Sequence, residues 1–135
     1  MYFCKNFKKM KSFAFFVATL LFSSVLFSCV KYESVIQGEV TYIAYYDDME
    51  YVAKGAILQK VKIKDSNETI ISSVLSDSLG HFVFDYVTTG DWIIKAKLIT
   101  EDAVYEGKSA IIHTSGEDKK DVKMVLVFKE MISNE

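Results

Sequence analysis

Beyond residue 33 the chain alternates. Ile36, Gly38, Val40 and Tyr42 fall on one side of an extended segment, with Gln37, Glu39 and Thr41 on the other. Successive side chains of a strand point to opposite faces, so this period of two predicts a strand with one face buried. Val61 and Ile63 alternate with Lys60, Lys62 and Lys64 and predict a second, half-buried strand. Residues 69–76 make a third, less clearly alternating. Phe82, Phe84 and Tyr86 line one face of the next, against His81, Val83 and Asp85. Trp92, Ile94, Ala96 and Leu98 are expected to face inward, with Lys95 and Lys97 toward water. Residues 104–113 form a sixth strand, and Val122, Met124, Leu126 and Phe128 finish the pattern. Polar runs fall between these segments: DSN at 65–67, SDSLG at 76–80, TTGD at 88–91 and SGEDKK at 115–120. Such residues favour turns, and Gly80 supplies free backbone angles. YYDDMEY, residues 45–51, is a loop or an extended hairpin tip. Short strands at this spacing, with no helical period after residue 28, predict an all-β chain folded as a seven-stranded β-sandwich.

The first 28 residues follow another rule. Lys5, Lys8, Lys9 and Lys11 precede SFAFFVATLLFSSVLFS, residues 12–28, which carries no charge. A basic head, a short apolar run and a small residue are the layout of a secretory signal. The run is at the low edge of what spans a bilayer, so length alone leaves an uncleaved anchor open. The next residue decides. Leu26-Phe27-Ser28-Cys29 resembles the lipobox of bacterial lipoproteins. That resemblance implies cleavage before Cys29 and acylation of its thiol and its new amine. It also implies an outer-membrane home in preference to an inner-membrane one, because Val30 is not the aspartate that tends to retain such proteins in the inner membrane. Each buried methylene contributes about 0.8 kcal/mol, and two or more chains are needed for stable attachment.

Removal of residues 1–28 from the 135 leaves 107, the length of one domain. All 18 acids lie in that remainder with 12 of the 16 lysines, so its net charge is near −6. Nucleic-acid binding needs a basic surface and is therefore not expected. Cys4 leaves with the signal and Cys29 carries the lipid, so no disulfide and no cysteine metal site remain. The organisation expected is a signal segment at 1–28, a lipidated tether at 29–34, a sandwich at 35–129 and a tail at 130–135.

SDSLGHFVF, residues 76–84, followed by TGDWII, residues 89–94, resembles the carboxypeptidase regulatory-like domain, a prealbumin-like (transthyretin-like) sandwich of the wider Ig-like kind. Gly38-Glu39-Val40, Gly55-Ala56 and Gly116 fit the same pattern. Residues 42–53 are longer than the usual first loop, and Trp92 stands where tyrosine is commoner. The resemblance implies a fold and an accessory role, and no chemistry, because its motif residues are turn and core residues.

Candidate chemistry is sparse. Asp47, Asp48 and Glu50 could offer oxygens to a cation, but the glycine and regular spacing of a calcium loop are missing. His81 and His113 are the only histidines, and a zinc or acid–base role would require them to be adjacent. The transthyretin-like hydroxyisourate hydrolases depend on an arginine and a carboxy-terminal motif. This chain has no arginine and ends ISNE. Lysine–asparagine isopeptide bonds of pilin-type domains would need Asn67 or Asn134, one in a turn and one in the tail. No enzyme, cofactor or metal is expected. Tyr42, Tyr45, Tyr46, Tyr51 and Trp92 could form a sugar-stacking platform, as in starch-binding sandwiches, but Trp92 reads as core, which leaves Tyr45, Tyr46 and Tyr51 as the candidate contacts. The expectation is a non-enzymatic envelope lipoprotein whose partners are the membrane, through Cys29, and an unidentified envelope protein or glycan.

Overall fold

A computed structural model describes residues 33–133; Cys29, the signal segment, most of the tether and Asn134 lie outside the described residues. Nine strands occur among them: β1 (Ser34–Ile43), β2 (Glu50–Val52), β3 (Ile57–Lys64), β4 (Asn67–Leu75), β5 (His81–Val87), β6 (Gly90–Ile99), β7 (Ala103–Lys108), β8 (Ile112–Thr114) and β9 (Lys119–Met131). The seven expected strands are all present. The two additions are three residues each. β2 returns from the 45–51 tip onto β1, and β8 is the end of the expected sixth strand, broken off at 109–111. Ser109 closes the break: its amide donates to the Ile94 carbonyl at 2.9 Å and its Oγ accepts from the Ile94 amide at 2.9 Å.

The strands form two sheets. In the first, β1 has β9 on one edge, parallel, and β5 and then β2 on the other, antiparallel. In the second, the order is β9-β7-β6-β3-β4, with β8 taking over the β6 edge beyond β7. β9 belongs to both: its first half pairs with β1 and its second half with β7. Between the sheets lie Ile36, Val40, Phe82 and Phe84 from the first, and Leu58, Trp92, Ile94, Ala96, Leu98 and Tyr105 from the second. Burying each large aliphatic side chain contributes on the order of 1.5–3 kcal/mol. The alternation expected in β1 and β6 is the alternation observed.

Glycines permit two close approaches. A Cβ on Gly38 would lie 1.7 Å from the Val122 carbonyl oxygen of β9, so only glycine lets β1 run this close. Gly80 has φ +77°, and its carbonyl accepts from the Val40 amide at 2.8 Å, tying the 76–80 turn to β1. Asp77 holds that turn from the other side, accepting from the amides of Leu79 at 2.9 Å and His81 at 2.8 Å.

Three side chains depart from the expected alternation. Tyr86 is not in the core; it is 77% exposed at φ +58°, and Val87 is buried in its place. The pairing of Ser34 with Val87 and Ile36 with Phe84 shows why: β5 carries one extra residue, a bulge, which reverses the faces. Lys60 does not point to water, and Lys62 does so only in part. They lie on the inner face, opposite Ile94 and Trp92, with Nζ atoms 5.0 and 5.4 Å from the Trp92 ring centre. Lysine stems are apolar, and an ammonium is attracted to an indole face, so this face can be covered while Val61 on the other is buried as expected, at 1% exposure. Lys60 is only 5% exposed, and burial holds its ammonium below its ordinary pKa.

Candidate functional site

β1 fixes an axis. The described chain begins at Glu33, beside the Ser34 end of β1, and β1 leads away over about 30 Å to Ala44 at the other end. The aromatic residues gather there. The amide of Ala44 donates to the Met49 carbonyl at 3.0 Å and that of Asp48 to the Ala44 carbonyl at 2.9 Å, which reverses the chain into β2. The reversal places Tyr45, Tyr46 and Tyr51 outside, at 37, 65 and 38% exposure. Tyr42 supports Tyr51 at 5.8 Å between ring centres, and Tyr105 supports Tyr42 at 4.8 Å. Phe128, at the end of the sandwich and half exposed, packs on Tyr105 at 6.2 Å and Tyr45 at 5.3 Å. Tyr46 meets Tyr45 edge-on at 5.5 Å and 87°. The result is one connected band of six rings.

Carboxylates hold two of the exposed rings. The Tyr45 hydroxyl donates to Asp102 at 2.8 Å, and the Tyr51 hydroxyl donates to Asp47. Asp102 is itself oriented by the Thr100 hydroxyl at 3.0 Å, and the two hydroxyls together lower its pKa. The bond to Asp47, with partial desolvation and the carboxylate charge adding to it, pushes Tyr51 up to about 12. Tyr45 is raised by its bond to Asp102, and Tyr42 chiefly by burial. A tyrosine whose hydroxyl is anchored has less rotamer freedom to lose when a ligand covers it, which lowers the entropic cost of binding.

The three tyrosines singled out in the sequence are thus brought together and exposed, but not as one flat platform. Tyr45 and Tyr46 stand nearly perpendicular, and the pair closest to parallel is Tyr42 with Tyr51, at 31°. Asp47, Asp48 and Glu50 do not converge. Asp47 serves the Tyr51 hydroxyl and the Met49 amide, and Glu50 accepts from the Thr41 hydroxyl at 2.6 Å. Among the described residues no group of three or more potential ligands is placed to hold a metal ion. His81 and His113 lie on different sheets, His81 within 3.9 Å of Glu39 and His113 on Asp91. Asn67 opens β4 beside the 65–66 turn. A shallow depression of about 510 Å³ lies on the outer side of the first sheet, over Gly38 and between Gln37, Glu39, His81, Asp121 and Lys123. Sequence reasoning missed Asp102, Tyr105 and Phe128, which reach the band from strands and turns more than 50 positions away. No local pattern signals them.

No family model matches the chain, and no curated protein matches it. Two solved structures are similar. One is a protein of Pseudomonas aeruginosa provisionally described as carbohydrate binding, at 14% identity and TM-score 0.54, covering 70% of this chain and 89% of its own. The other is the minor pilin of Streptococcus agalactiae, at 12% identity and TM-score 0.45; 78% of this chain spans about half of it, 49%. The first likeness supports the β-sandwich. Among the described residues no helix is long and apolar enough to cross a membrane.

Proposed function

We propose that this chain is a lipid-anchored, non-enzymatic binding module of the bacterial envelope, with a carboxypeptidase regulatory-like sandwich that presents its aromatic band away from the membrane. The observation that carries the reading is the axis of β1. Cys29 precedes Ser34 by five residues, a tether of at most about 18 Å. The band lies at the far end of a strand about 30 Å long. Two or more acyl chains on Cys29 hold such a protein at a bilayer surface without a spanning helix. The outer membrane is the home favoured by Val30, and an envelope protein or a glycan is the partner that the exposed rings would meet. Changing Cys29 to Ser is expected to move the protein from the membrane fraction to the soluble fraction; retention in the membrane overturns the anchor.

A glycan is the ligand with a specific observation behind it. Sugar rings stack by their C–H faces on aromatic surfaces, and their hydroxyls donate hydrogen bonds to fixed carboxylates. Tyr42 and Tyr51, tilted by 31°, are the pair closest to parallel, with Asp47 and Glu50 beside them. The description of the Pseudomonas protein as carbohydrate binding is in keeping with this. On a glycan array the intact protein is expected to bind, and Tyr51→Ala to lose most of that binding. An array with no hits overturns the glycan reading and leaves the anchor standing.

A further inference from the structure

We propose that the free edge of β4 pairs with β4 of a second copy of this chain, antiparallel, about a two-fold axis at Ser73. Among the described residues β4 has β3 on one side and no strand on the other, so a row of backbone N–H and C=O groups is open to pairing. Among the described residues three other strands have a single partner. β2 and β8 are three residues each, and β5 carries Asp85 and the strained bulge at Tyr86. Short strands, inserted charges and bulges are the usual means of blunting an edge. β4 is nine residues long, and its segment TIISSVL, residues 69–75, has no charge, no proline and no glycine. Its one charged residue, Glu68, is taken by Lys95 of the same sheet at 2.6 Å. Ile70, Ile71 and Leu75 are more than half exposed, and Ile57 lies beside Leu75.

β4 has a bulge of its own, and it selects the register. Lys60 pairs with Ser72 while Val61 pairs with Ile70, so Ile71 is the extra residue. A two-fold axis at Ile71 would set the two bulges against each other at the centre. An axis at Ser73 leaves them at the rim and uses the regular stretch that follows. Ile71 of each copy then lies opposite Leu75 of the other, Ser72 opposite Val74, and Ser73 opposite Ser73. Apolar side chains meet apolar ones, small meet small, and no charge enters the seam. An acidic protein can make that contact with itself without opposing like charges. The strand is its own complement, and this identifies the occupant as a second copy. A two-fold contact of this kind also closes after two subunits and does not propagate into a fibre.

Directly opposed residues of antiparallel strands have Cα atoms about 4.5–5.5 Å apart, inside the range a disulfide spans. Ser73→Cys in the full chain is therefore expected to form a disulfide-linked dimer under mild oxidation. Thr69→Cys is not, because two such positions would lie about 27 Å apart across the axis. The wild-type chain, with Cys4 and Cys29 alone, sets the background. Adding Ile71→Lys to Ser73→Cys is expected to lower the linked fraction about ten-fold. Ile71 is exposed, so that change leaves the fold intact. As a second measure, a tagged Ile71→Cys chain is expected to link to an untagged Leu75→Cys chain. Linkage of Ser73→Cys no faster than Thr69→Cys, linkage that ignores Ile71→Lys, or no link between positions 71 and 75 overturns the proposal.

Discussion

Tyr51 shows how a single hydrogen bond sets a residue's behaviour. Its hydroxyl donates to Asp47, and this first, with desolvation next, carries its pKa from 10.0 to about 12. The folded state therefore holds the proton more tightly than the unfolded state. The contribution is present in full below pH 10 and is lost as pH rises through about 12. Asp47→Asn removes the anionic acceptor, so Tyr51 is expected to titrate near its ordinary value. An ultraviolet titration of tyrosinate checks this; an unchanged Tyr51 would mean that Asp47 is not its partner in solution. Tyr45, Tyr46 and Tyr51 were legible as surface aromatics because they sit in an acidic tip between strands. Their mutual tilt was not, since it depends on Phe128 and Asp102, which no neighbouring residue announces.

At the scale of the element, the strands that could be read were those with an unbroken period of two. β1 and β6 are clear because β-branched and aromatic residues alternate with charged or small ones over ten positions. Bulges defeat this reading, because one inserted residue exchanges the faces of everything after it. Tyr86 is the case in point, since HFVFDYV alternates without interruption in sequence and the reversal comes from pairing with β1. β3 departed in part, on its lysine side, for another reason. ILQKVKIK sets Lys60 and Lys62 on the same face as Leu58, and Val61 on the other; Val61 is buried as expected, and lysine stems over Trp92 are covered as well. A left-handed backbone costs a non-glycine residue on the order of 1–2 kcal/mol, and the exposed Tyr86 ring recovers little by burial. Tyr86→Gly is therefore expected to raise stability by about 1 kcal/mol, read from the urea midpoint at unchanged slope. A loss of stability would show that the ring holds the bulge in place.

For the whole molecule, the fold class followed from spacing alone, whereas the sharing of β9 between sheets did not. KKDVKMVLVFKEM looks like one continuous strand, and it is one; nothing in it marks the point where its partner changes from β1 to β7. That division has a mechanical outcome. One thirteen-residue rod is stitched into both layers, so neither layer can peel off without tearing the seam of its neighbour. Trp92 reports the second layer and far-ultraviolet circular dichroism reports both. Heating is expected to bring the two signals down together in one sharp step, and a Trp92 signal that melts ahead of the dichroism would show the layers coming apart in turn.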